Sequence, residues 1–152
     1  MEPHAFNLVA MTHLVVLSMW GGVVATEAVV ELLPFRRREL HAATIRFHYW
    51  IDLLVELPLV LAVIGTGATL LVLTQSVTPL LMVKVSLGGA AVLVNLFCII
   101  VVVRRGRGFE RSTDEASLWR ASRTVLACFA VGLLCAAGAA VLGFRFALDR
   151  LG

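Results

Sequence analysis

Charge is scarce in this chain. Asp, Glu, Lys and Arg make up 15% of its 152 residues, against roughly a quarter in soluble domains. Interruptions are scarce too, since four prolines leave the apolar runs almost unbroken. There are three cysteines, Cys98, Cys128 and Cys135, all inside apolar stretches. An odd count in such places excludes a disulfide framework. No Cys-x-x-Cys pair, phosphate-cradling glycine loop or nucleophile triad occurs, so the chain offers no motif for the corresponding chemistries. Period-2 alternation is also missing, which excludes a transmembrane barrel.

What the chain has is hydrocarbon. Hydrophobic residues make up 60% of it, with a mean hydropathy of +0.94. They fall in blocks at 6–33, 42–73, 79–103 and 113–148, each longer than the roughly 20 residues that a helix needs to cross a bilayer. Backbone groups in lipid must be satisfied within the segment. The fold class expected is therefore all-α: a four-transmembrane-helix antiparallel bundle, forming a single integral membrane domain over 1–152. The turns at 34–41 and 74–78 are short, making the first three helices sequential neighbours. The stretch RRGRGFERS at 104–112 reads as the one flexible loop, with Ser112 capping the last helix and Glu115 completing the box.

Basic residues set the orientation. Arg36, Arg37, Arg38 and Arg46 flank the first turn, and Arg104, Arg105, Arg107, Arg111, Arg120 and Arg123 flank the third. The turn at 74–78 and the N-terminus carry none. By the positive-inside rule both termini face outward and the arginine-rich loops face the cytosol, as in a bacterial inner membrane. The net charge of +3 then reflects topology and anionic headgroups, and nucleic acid is not an expected partner. MEPHAFN has no basic n-region, so the first helix is expected to be retained.

Against this background HAATIRFHYWIDLLVELP, residues 41–58, stands out. It places His41, His48, Asp52 and Glu56 on one helical stripe running into hydrocarbon. Helix one carries a matching seam of His13, Trp20, Val24, Glu27 and Glu31. Tyr49 and Trp50 read as an interfacial aromatic belt. Folding the first two helices about their hairpin sets Glu27 level with His48 and Asp52, and Trp20 level with Glu56. Asn95 on helix three falls close to the height of Glu56, Arg123 on helix four lies opposite, and His41 closes the cluster from the loop side.

Two readings of that cluster compete. Carboxylates and imidazole at i and i+4 suit a divalent metal such as iron, manganese or zinc, held by Glu27, Glu31, His48, Asp52 and Glu56. Di-iron bundles use Glu-x-x-His, whereas this chain sets Glu-x-x-x-Glu against His-x-x-x-Asp-x-x-x-Glu. Alternatively Glu27 and Glu31 lie beyond the membrane and pair with Arg36, Arg46 or Arg123, as exposed ion pairs of small energetic value. Glu56 is deep enough to need a partner or a proton under either reading.

A second polar pair, His13 and Lys84, shares a level in the opposite leaflet. Here the segments HLVVLSMWGG, a proline followed by GTG, and MVKVSLGG resemble the HemJ-type protoporphyrinogen oxidases and the related CopD-like four-helix membrane proteins. The resemblance covers helices one to three through His13, Trp20, Gly21, Pro58, Gly65 and Lys84. It implies a haem-binding oxidoreductase in which His13 is a haem-ligand candidate and Lys84 a functional lysine. A non-catalytic alternative is an accessory subunit of a larger membrane complex, or a homo-oligomer. Its inter-subunit face would be the stripe of small residues on helix four: Cys128, Gly132, Cys135 and Ala139.

Overall fold

The computed structural model describes residues 3–74, 76–110 and 114–148. The chain forms α1 (Pro3–Arg36), a 3₁₀ turn (Arg38–Leu40), α2 (His41–Ile51), a π-helical turn (Asp52–Glu56), α3 (Leu57–Leu73), α4 (Pro79–Glu110) and α5 (Glu115–Leu148). The segment from α2 to α3 is one continuous rod. Four helices are thus long and apolar enough to span a membrane, and no strand occurs among the described residues.

The surface is inverted relative to a soluble bundle. Leu8, Leu54, Val72, Leu93 and Leu134 are each 67–83% exposed. Glu27, Glu31, His48, Asp52 and Glu56 are at most 2% exposed. Apolar residues outside and carboxylates inside is the arrangement that a hydrocarbon solvent selects. This is an integral membrane protein.

Packing between α4 and α5 depends on glycine. A Cβ at Gly138 would lie 3.2 Å from Leu87, and one at Gly132 would lie 3.8 Å from Val94. Cys128 and Cys135 also pack inward, against the two apolar core clusters. The small-residue stripe is therefore turned partly onto α4 within this chain. The missing side chains bring the backbones together where dispersion must supply the cohesion.

The helix ends differ from expectation in an informative way. α4 runs to Glu110, taking in most of the stretch expected to be a flexible loop. Gly106 and Gly108 each disfavour helix by about 1 kcal/mol, but tertiary contacts outweigh that cost. Arg105 is 3% exposed, and Gly106 lies so close to the Tyr49 ring that a Cβ there would come within 2.6 Å of it. Ser112 falls outside the described residues. Asp114 caps α5, its carboxylate accepting the Ser117 backbone N–H at 3.2 Å.

Candidate functional site

The π turn is where the site begins. The Leu57 backbone N–H donates to the Asp52 carbonyl, an i→i+5 bond, where an α-helix would use i→i+4. Pro58 follows immediately and has no N–H to offer the carbonyl of Leu54. Loss of that donor explains why the ladder widens here. The turn carries Asp52 at its first position and Glu56 at its last. It faces α1, α4 and the interior of the bundle, so both acids are buried.

Two polar groups result, different in charge balance. In the first, Glu31 and Arg105 pair through both carboxylate oxygens, with Arg105 Nη2 donating to Oε2 at 3.0 Å. His48 Nδ1 lies 3.0 Å from the same Oε2, and His48 Nε2 lies 3.2 Å from the Glu27 carbonyl. Arg105 Nη1 also donates to Ser122 Oγ at 2.9 Å, and Ser122 meets His41 Nε2 at 3.3 Å. His41 in turn stacks on Trp119, with ring centroids 4.2 Å apart. This group is nearly satisfied, Arg105 Nε being its one buried orphan.

The second group is not satisfied. Glu27, Asp52 and Glu56 each bring a carboxylate oxygen to within 4.8 Å of the others. Asn95 Nδ2 donates to Glu56 Oε1 at 2.6 Å, which leaves the Asn95 carbonyl oxygen buried and unpartnered. Both Glu27 carboxylate oxygens are likewise buried without a hydrogen-bonding partner. The groups beside Glu27 are themselves acids, and the paired N–H groups of Arg105 go to Glu31. Unpaired buried carboxylates are costly. The arrangement suits a cation that would replace the missing positive charge.

The sequence-derived set is therefore brought together but divided. Glu27, Asp52 and Glu56 share one centre, while Glu31 and His48 belong to the ion-paired group next to it. Asn95 supports Glu56 as its height suggested, and His41 closes the loop side through Ser122. Arg123 does not take part, because it is exposed; Arg105 supplies the cation instead. Glu27 and Glu31 are not exposed interfacial acids either, at 1% and 0% exposure. Arg105 was missed because RRGRG reads as loop. The signal available was an arginine on the same α4 stripe as Asn95 and Cys98, which becomes visible once the helix is extended.

At the other end of the bundle, His13 Nδ1 lies 2.8 Å from Thr66 Oγ1. Thr66 donates its hydroxyl proton to the Ala62 carbonyl at 2.7 Å, so the imidazole Nδ1–H must be the donor to Thr66. Nε2 then carries the free lone pair. Two glycines make room here: a Cβ on Gly67 would lie 3.3 Å from the His13 ring, and one on Gly143 would lie 3.1 Å from Lys84 Nζ. Lys84 is within electrostatic range of His13. Trp20, Val60, Val63 and Ala91 form an apolar core cluster on the same helices, and it lies between the two polar ends. No family model, no curated protein and no solved structure matches this chain.

Proposed function

We propose that this membrane bundle binds a divalent metal ion through Glu27, Asp52 and Glu56. The carbonyl oxygen of Asn95 would complete an all-oxygen donor set. The observation that carries the reading is the Glu27 carboxylate: buried, unpartnered, and within 4.8 Å of two further carboxylate donors. Charge balance favours a divalent ion. Four buried acids face one arginine in this core, and a doubly charged ion would offset most of the difference. Of iron, manganese and zinc, an all-oxygen set favours manganese or ferrous iron over zinc. Glu31, Arg105 and His48 would act as the supporting layer that holds Glu27 in place through its own backbone carbonyl. By the positive-inside rule this end of the bundle faces the cytosol.

Isothermal titration of detergent-purified protein with Mn²⁺ tests the reading. One ion per chain is expected, with binding lost in Glu27→Gln and retained in Arg123→Gln. No heat of binding in the wild type, or equal binding in Glu27→Gln, would retire it.

A second reading rests on a separate observation, the free Nε2 lone pair of His13 within electrostatic range of Lys84. Following the resemblance to HemJ-type proteins, His13 would ligate a haem iron and Lys84 would meet an anionic substituent of the ring. An absorption spectrum with a Soret band in the wild type, lost in His13→Ala, supports it. A colourless protein after haem reconstitution counts against it.

A further inference from the structure

At the arginine-rich end of the bundle a groove of about 210 Å³ opens between α4 and α5. Val101, Leu118 and Ala121 supply its apolar lining, and Arg104 and Ser117 its polar lining. Arg105 also belongs to the wall, but its guanidinium is paired with Glu31, so that charge is already met. Arg104 is different. It is exposed, no acidic residue lines the groove, and Arg104 is in no ion pair among the described residues. The acids at the start of α5 are engaged: Asp114 accepts the Ser117 backbone N–H, and Glu115 accepts the Trp119 indole N–H at 3.2 Å. The Ser117 hydroxyl makes no hydrogen bond among the described residues.

The α4 surface leading up to the groove is apolar. Leu93, Phe97, Ile100 and Arg104 follow one another at intervals of four, three and four, which puts them on one helical stripe. The three apolar residues are 49–69% exposed. A lipid-facing stripe thus ends in an unpaired arginine, beside a recess that offers a hydroxyl donor. That order of surfaces matches an amphiphile with an apolar chain and an anionic head. A free phosphate would use only the polar end of it. A zwitterionic headgroup would bring its own cation towards Arg104 and towards Arg107, which is exposed one turn further along α4. By the positive-inside rule this end of the bundle lies in the leaflet that carries anionic lipid.

We propose that the groove is a discrete site for one anionic phospholipid, its phosphate held by Arg104 and Ser117 and an acyl chain lying along Leu93, Phe97 and Ile100. The site is on the outside of the bundle, apart from the carboxylate centre, and does not depend on metal binding.

The test uses delipidated protein in a maltoside detergent, titrated with short-chain phosphatidylglycerol, short-chain phosphatidylcholine or inorganic phosphate. Native mass spectrometry counts the bound lipid, and thermal unfolding reports its effect. One phosphatidylglycerol per chain is expected to bind and to raise the melting temperature, whereas phosphatidylcholine and inorganic phosphate should do neither. Arg104→Gln should weaken phosphatidylglycerol binding by about fivefold or more. Ala121→Phe fills the groove without changing the charge, and should weaken binding at least as much. Arg37→Gln removes an exposed arginine from the other hairpin and should bind like the wild type. Equal binding of the two lipids by the wild type overturns the proposal. So does an Arg37→Gln loss as large as that of Arg104→Gln, which would mark diffuse surface charge only. Unchanged binding in Ala121→Phe rules out the groove as the place, and displacement of the lipid by equimolar inorganic phosphate rules out a lipid as the occupant.

Discussion

Glu31 on α1 and Arg105 on α4 lie 74 positions apart and meet in a two-pronged ion pair from which solvent is excluded. A charged pair in a membrane bundle is not there for its Coulomb energy, because desolvation offsets most of that gain. Its effect is positional. It fixes where α4 stands relative to α1, and it holds His48 against the Glu27 carbonyl. Replacing Arg105 with Met leaves Glu31 buried with only the His48 imidazole beside it, which should cost about 3–5 kcal/mol. Thermal unfolding of Arg105→Met in detergent should show a large loss. The double variant Glu31→Leu, Arg105→Met should recover most of it, and a double variant no more stable than the single one would contradict this account.

Gly106 predicts a separate effect on the same interface. An added Cβ would come within 2.6 Å of the Tyr49 ring, with further contacts at 3.2 and 3.3 Å. Tyr49 is next to the buried His48 in sequence, and its half-buried ring lies directly over Gly106. Gly106→Ala should therefore destabilise the fold by about 1–3 kcal/mol, as overpacking does. Ordinary helix propensity predicts the opposite sign, since alanine is the better helix former. Denaturation of Gly106→Ala distinguishes the two.

Much of this architecture was legible in the sequence, and the reason is physical. Hydrophobic length alone fixes a span, and helical periodicity puts His48, Asp52 and Glu56 on one stripe. Hairpin geometry then sets heights, which is why Glu27 was expected beside His48 and Asn95 beside Glu56. What could not be read was anything set by contacts across the bundle. Arg105 and Arg123 are equally arginine in the sequence. One is buried because α4 continues through two glycines, a stretch where Tyr49 packs over Gly106 and Arg105 meets Glu31 and Ser122. The division of the acids into a paired and an unpaired group likewise depends on which carboxylate reaches that arginine. The π turn was hidden as well, because its cause is the absent N–H of Pro58, a local defect that periodicity averages away.

That defect can be repaired. Pro58→Ala restores a donor for the Leu54 carbonyl, and the turn at Asp52–Glu56 should relax toward an α-helical ladder. The rod would then rotate its two acids relative to Glu27 without losing either. Mn²⁺ affinity should fall by about tenfold, while stability without metal stays the same or rises. Titration calorimetry alongside thermal unfolding separates these effects. Unchanged affinity would mean that the π turn plays no part in forming the centre.

Asn95 offers the most direct way to vary the charge of the centre. Its amide donates to Glu56 at 2.6 Å while its carbonyl oxygen stays unpaired. Asn95→Leu removes the donor and leaves Glu56 without a hydrogen bond, at a cost of about 1–3 kcal/mol. If the carbonyl is a ligand, Mn²⁺ should also bind that variant more weakly. Asn95→Asp removes the same donor and adds a fourth carboxylate. The metal-free protein should then be less stable than the leucine variant, because like charges are crowded in a dry interior. Added Mn²⁺ should reverse the order, since a ligand present at a hundred times its dissociation constant stabilises by about 2.7 kcal/mol and a fourth acid should tighten binding. The melting temperature measured across a Mn²⁺ series gives the answer. Parallel curves for the two variants would show that the cluster does not respond to a cation, and the centre would have to be read as protonated acids holding the helices together.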